Sequence, residues 1–133
     1  MGSRLLNKQV FLVFLATLTV ACQPVELGEF SVAEVCKAGI ATFMGKDPGI
    51  IVSDGSFGEV EYLYYYRKSD GTRWDFRCKL KSDRIVWATE TGPWRTRNGD
   101  PKVEFAIQGN RIAVAEIFSD GSHRSKVFSR SQL

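Results

Sequence analysis

The chain has 133 residues, 18 Lys and Arg against 15 Asp and Glu, a formal net charge of +3, and 44% hydrophobic residues. This suits one globular domain, and the near balance of charge argues against a dedicated nucleic-acid surface, which would need a strongly basic face. With one histidine, no His-based metal cluster or H-E-x-x-H site can form.

Arg4 and Lys8 precede an apolar run from Val10 to Val20 that ends at Ala21 and Cys22. The run is too short for the roughly 20 residues of a permanent membrane helix, so it reads as a cleaved export signal. Leu18-Thr19-Val20-Ala21-Cys22 resembles the lipobox of bacterial lipoproteins, in which a small residue precedes a cysteine that is diacylated and becomes the new N-terminus. Thr19 stands where that motif usually has an aliphatic residue, and Thr19-Val20-Ala21 also suits an ordinary small-x-small cleavage site. The resemblance implies a signal peptide over residues 1–21, lipidation at Cys22 and a membrane partner through that anchor. Gln23, where retained inner-membrane lipoproteins often carry Asp, implies the periplasmic side of the outer membrane. Without the lipid, the expectation is a soluble periplasmic or secreted protein. Removing residues 1–21 takes away two basic residues and no acids, leaving 16 basic against 15 acidic.

Residues 22–30, with Pro24 and Gly28, read as a tether, and residues 31–133 as one α+β domain. Ser31 followed by Glu34 is a capping box, each side chain satisfying an amide that the first helical turn leaves unpaired. Val32, Val35, Cys36, Gly39, Ile40 and Phe43 then form one helical stripe, and Gly45 closes it. Residues 46–56 read as a loop.

Beyond it the period becomes two. From Arg73 to Lys81, Trp74, Phe76, Cys78 and Leu80 alternate with charged residues, and Glu59 to Lys68 is the partner strand across a three-residue Ser69-Asp70-Gly71 loop. That loop pairs Tyr66 with Trp74, Tyr64 with Phe76 and Tyr62 with Cys78, and sets Glu61 and Glu59 opposite Lys79 and Lys81. A Ser82-Asp83 turn places Ile85 and Trp87 opposite Leu80 and Cys78 in the strand from Arg84 to Glu90. Lys102 to Gln108 turns at Gly109-Asn110 to set Ile112 and Val114 opposite Ile107 and Phe105, and a last hairpin at Ser119-Asp120-Gly121 leads to a strand around Arg124 to Ser129. The expected architecture is one N-terminal helix packed on a roughly six-stranded antiparallel meander, an open sheet or partial barrel.

Cys36 on the helix stripe and Cys78 on the apolar sheet face should meet in an oxidising compartment, which predicts a disulfide and leaves Cys22 as the odd cysteine. Metal binding would want more Cys or His nearby, and redox chemistry a C-x-x-C spacing.

No catalytic set is evident. Glu116, His123 and Ser125 invite a triad reading but lack a G-x-S-x-G elbow, and Glu59 with Glu61 are better explained by lysine partners than as a hydrolytic pair. No cofactor is implied. The loop from Thr91 to Pro101 is longer than its strands require, and such loops often carry function. Trp94 there could stack on a sugar while Arg95 and Arg97 hold carboxylate or phosphate; the plainer reading folds Trp94 back to cap one end of the core with solvated arginines. The expected function is non-catalytic binding of an envelope glycan or protein, at peptidoglycan or lipopolysaccharide. Alternatively, the chain resembles the lysozyme inhibitors of Gram-negative bacteria in size, leader and architecture, although Ser119-Asp120-Gly121-Ser122 is a poor substitute for their S-G-S-x-A-type loop.

Overall fold

A computed structural model describes residues 25–133; the signal peptide expected over residues 1–21 and the expected lipidation site Cys22 lie outside the described residues. The helix α1 runs Val32–Met44, and both halves of its capping box form: the Ser31 hydroxyl accepts the Glu34 N–H at 3.1 Å, and the Glu34 carboxylate accepts the Ser31 N–H at 3.0 Å. Gly45 ends the helix in the left-handed conformation with φ 63°, which costs glycine little. At Gly39 a Cβ would come within 2.9 Å of Ile85 Cδ1, so the missing side chain is what lets helix and sheet approach. No helix among the described residues is long and apolar enough to cross a membrane.

Seven strands follow, β1 Val52–Phe57, β2 Val60–Tyr66, β3 Arg73–Lys81, β4 Arg84–Thr89, β5 Lys102–Gln108, β6 Arg111–Ile117 and β7 His123–Ser129. They form one antiparallel open sheet in chain order, a meander. The helix covers one face, and Val35, Cys36 and Ile40 pack there with Leu63, Tyr65, Phe76, Cys78, Ile85, Val103, Phe105, Ile112, Val114 and Phe128. The Cys36–Cys78 disulfide joins the two layers across a sequence separation of 42. Arg130 closes the other end, bonding Glu34 at 3.1 Å and Glu29 at 3.3 Å.

Two expectations need correction. The expected loop over residues 46–56 contains a short 3₁₀ turn at Pro48–Ile50 and then β1, the seventh strand, all six of whose residues are exposed. An edge strand exposed on both faces needs no apolar alternation, and its register breaks between Ser53 and Ser56. The second correction is the β2–β3 register, which runs one residue off the expected one: Leu63 faces Phe76, Tyr65 faces Trp74 and Glu61 faces Cys78. The hairpin loop has four residues, Lys68 to Gly71, closed by Arg67 N–H to Thr72 O at 2.8 Å. Asp70 stabilises it by accepting the Thr72 N–H at 3.0 Å and pairing with the Arg67 guanidinium. The extra residue reverses which side chains point inward. Leu63 and Tyr65 enter the core, Tyr62 and Tyr66 are exposed, and the two expected lysine pairings reduce to Lys79 with Glu59 at 3.8 Å. The β3–β4 and β5–β6 registers match expectation, with Cys78 opposite Trp87 and Val114 opposite Phe105.

The shifted register turns Glu61 inward, and burial pushes its carboxyl up from the ordinary value. Glu116, on the inner side of β6 and 7% exposed, is likewise pushed up by burial, with Arg124 opposite it only partly compensating. A carboxyl whose folded pKa is raised binds its proton more tightly when folded, so its contribution to stability is present at low pH and lost as pH rises above 4.5 through the raised value. Asp120 works in the opposite sense, held low by Ser122, and so stabilises above about pH 4 and loses that contribution on acidification. Stability should therefore peak in mild acid. Glu116→Gln is expected to stabilise the protein by about 1 kcal/mol at pH 7.5, by removing a buried charge with little compensation, and to make no difference near pH 4. Urea unfolding of both proteins at the two pH values checks this, and equal midpoints at pH 7.5 would refute it.

Candidate functional site

Between β4 and β5 the sheet opens. The two strands meet only at Arg84 opposite Glu104 and through the Phe105 N–H to Asp83 O bond of 2.9 Å. Further along β4, the Trp87 carbonyl accepts instead from the Arg95 N–H at 2.9 Å, so the 90–101 loop borders β4 where β5 has diverged. Successive side chains of an extended segment point to opposite faces, and the loop uses both. Trp94 turns to the outer face, its ring 4.3 Å from Lys79 Nζ and 4.9 Å from Arg77 Cζ. Arg95 turns to the inner face over Trp87, its Cζ 5.2 Å from that ring, while Trp87 stacks on Phe43 at 4.2 Å.

Arg77 secures the base of the loop, donating from Nε to Thr89 O at 3.1 Å and from its guanidinium to Gly92 O. Val86 and Ala88 lie on the outer face opposite Lys79 and Arg77, the residues that Trp94 packs against, and are buried at 7% and 0%. Trp94 thus folds back, over the outer face of the sheet rather than over an end of the main core. Asp100 shapes the far side of the loop, accepting the Arg97 N–H at 3.0 Å while its own N–H reaches Arg97 O at 3.1 Å.

The gap between the strands is a cleft of about 320 Å³, lined by Arg84, Arg95, Arg97 and Lys102 with Asp100 as the one acid. Arg95 approaches Asp100 only at 4.0 Å, and Arg84, Arg97 and Lys102 make no ion pair among the described residues. Unpaired guanidinium groups around a concave surface suit a planar or tetrahedral anion, which they can bind with paired hydrogen bonds. Arg95 and Arg97 were legible as candidates from loop length. Arg84, Lys102, Arg77 and Lys79 were not: each occupies an ordinary polar strand position, and the one available signal is that Arg84 and Lys102 begin the two strands flanking the loop.

The other sequence candidates do not converge. His123 and Ser125 are exposed on one side of β7, whereas Glu116 pairs with Arg124 on the buried side. Among the described residues no group of three His, Cys, Asp or Glu is placed to hold a metal ion. No protein-family model matches the chain, and neither a curated protein nor a solved structure matches it.

Proposed function

We propose that this protein is an exported cell-envelope lipoprotein, anchored through Cys22 and acting without catalysis as a binding module toward peptidoglycan or lipopolysaccharide. The observation that carries the reading is the Cys36–Cys78 disulfide, which uses two of the three cysteines and leaves Cys22, the lipobox residue, as the odd one. Exported proteins tend not to keep an odd free thiol, and acylation is a direct use for it. The separation of Glu116 from His123 and Ser125 supports binding over hydrolysis, and the cleft beside Arg95 and Arg97 supplies a place for a ligand. Intact-mass measurement of the mature protein from an exporting Gram-negative host tests the anchor. The expected product begins at Cys22 and carries acyl chains; an unacylated chain beginning elsewhere would overturn this reading.

A further inference from the structure

Four basic residues, Arg84, Arg95, Arg97 and Lys102, meet around the cleft with Asp100 as its one acid. Residues 77–102 contain seven Lys and Arg against three Asp and Glu, whereas the remainder of residues 25–133 has nine basic against twelve acidic. A near-neutral protein therefore presents a basic stretch on an acidic body. Such segregation steers anions to one place and repels them elsewhere.

The cleft also has a direction relative to the point where the chain enters the fold. Glu26, Gly28 and Glu29 lie beside Gly109 and Asn110, at the β5–β6 turn, and Glu29 is held there by Arg130. The cleft lies at the other end of the same two strands, where Lys102 begins β5 and Ile117 ends β6. The seven residues of β5 separate the two ends by about 20 Å. If the chain is anchored through Cys22 as proposed, the basic cleft lies at the end of the sheet far from the residues that lead to the anchor.

We propose that the cleft binds carboxylates of the peptidoglycan stem peptides, with Arg95 and Arg97 as the principal donors and Arg84 and Lys102 as flanking charges. This rests on the anchored envelope reading and deepens it by naming the ligand. Orientation argues against headgroups of the anchoring membrane. Guanidinium groups suit a planar carboxylate, and an insoluble polymer rich in carboxylates matches an open cleft better than an enclosed one would. Trp94, already covered by Arg77 and Lys79, holds the loop in place rather than stacking on the ligand.

The test uses the mature exported protein in three sedimentation assays: with purified sacculi, with sacculi whose carboxylates have been amidated by carbodiimide, and with phosphatidylglycerol vesicles. Expected are retention by native sacculi, loss on amidated sacculi and, on vesicles, only the retention that the acyl chains on Cys22 give, unchanged when Arg95 and Arg97 are replaced. Arg95→Gln/Arg97→Gln should weaken retention about tenfold or more, since charge-assisted hydrogen bonds are lost. Arg111→Gln/Lys126→Gln, which removes the same charge from exposed positions elsewhere, should leave retention intact. Equal loss in both double variants, undiminished binding to amidated sacculi, or vesicle retention that falls with Arg95→Gln/Arg97→Gln overturns the proposal. If the loop variant loses its disulfide or its near-ultraviolet circular dichroism, Arg84→Gln/Lys102→Gln is read in its place under the same criteria. Protein acylated at Cys22 that ignores sacculi defeats this inference alone, and unacylated protein that is retained defeats the anchoring reading alone.

Discussion

Replacing Cys36 and Cys78 together by alanine is expected to destabilise the domain by about 4 kcal/mol, the chain-entropy value for a loop of some forty residues. Domains of this size have a total stability of roughly 5–15 kcal/mol, so this loss would be a large share of the whole. Both cysteines are fully buried at the contact between α1 and β3, and in the unfolded chain the bridge keeps the two segments tied together, which lowers the entropy gained on unfolding. Alanine is the better replacement because serine would add buried hydroxyls to the cost. The midpoint of thermal unfolding should fall by roughly 15–25 °C. Reduction of the wild-type protein should give a similar fall, and an unchanged midpoint after reduction verified by mass would show that the bridge contributes little.

Phe76→Ala should cost about 3–5 kcal/mol, the usual range for deleting a buried aromatic ring. Phe76 is 2% exposed and sits among Tyr65 at 5.8 Å, Trp87 at 6.1 Å and Phe43 at 6.3 Å between ring centroids. These three come from β2, β4 and α1, so one ring ties the helix to three neighbouring strands. Phe76→Leu, which keeps most of the volume, should cost much less. Denaturant unfolding of both variants checks the ranking, and equal losses would mean that ring filling is not what Phe76 supplies. The aromatic contacts also reach the cleft, since Arg95 Cζ lies 5.2 Å from the Trp87 ring. Phe76→Ala should therefore loosen the 90–101 loop as well as the core.

Much of the framework could be read from local chemistry. The capping box at Ser31 and Glu34, the stop at Gly45 and the alternation from Arg73 to Lys81 are each decided within a few residues, and the structure has them where expected. Two-residue turns at Ser82-Asp83 and Gly109-Asn110 carried the β3–β4 and β5–β6 registers for the same reason. The β2–β3 register is not decided locally, because a loop of three or four residues fits Lys68-Ser69-Asp70-Gly71 equally well, and one residue reverses every side chain. At this strand end Glu61 is tolerated on the inner face, where it is only half-buried and Leu63 and Tyr65 gain full burial in return. Strand β1 carried little signal, since Ser53-Asp54-Gly55-Ser56 is a turn-like composition.

By itself the sequence determined what depends on neighbours along the chain: the helix and its caps, the strand period, the tight turns, and the match between Cys36 and Cys78 on two apolar surfaces. Only the tertiary structure decided where β4 and β5 separate, because pairing between strands joined by a long loop depends on residues far apart in the chain and no local residue encodes it. That separation brings Arg84, Arg95, Arg97 and Lys102 around one cleft and turns it away from the N-terminal segment. The arginines were visible as residues of a long loop. Their common cleft and its direction exist only once the sheet is folded.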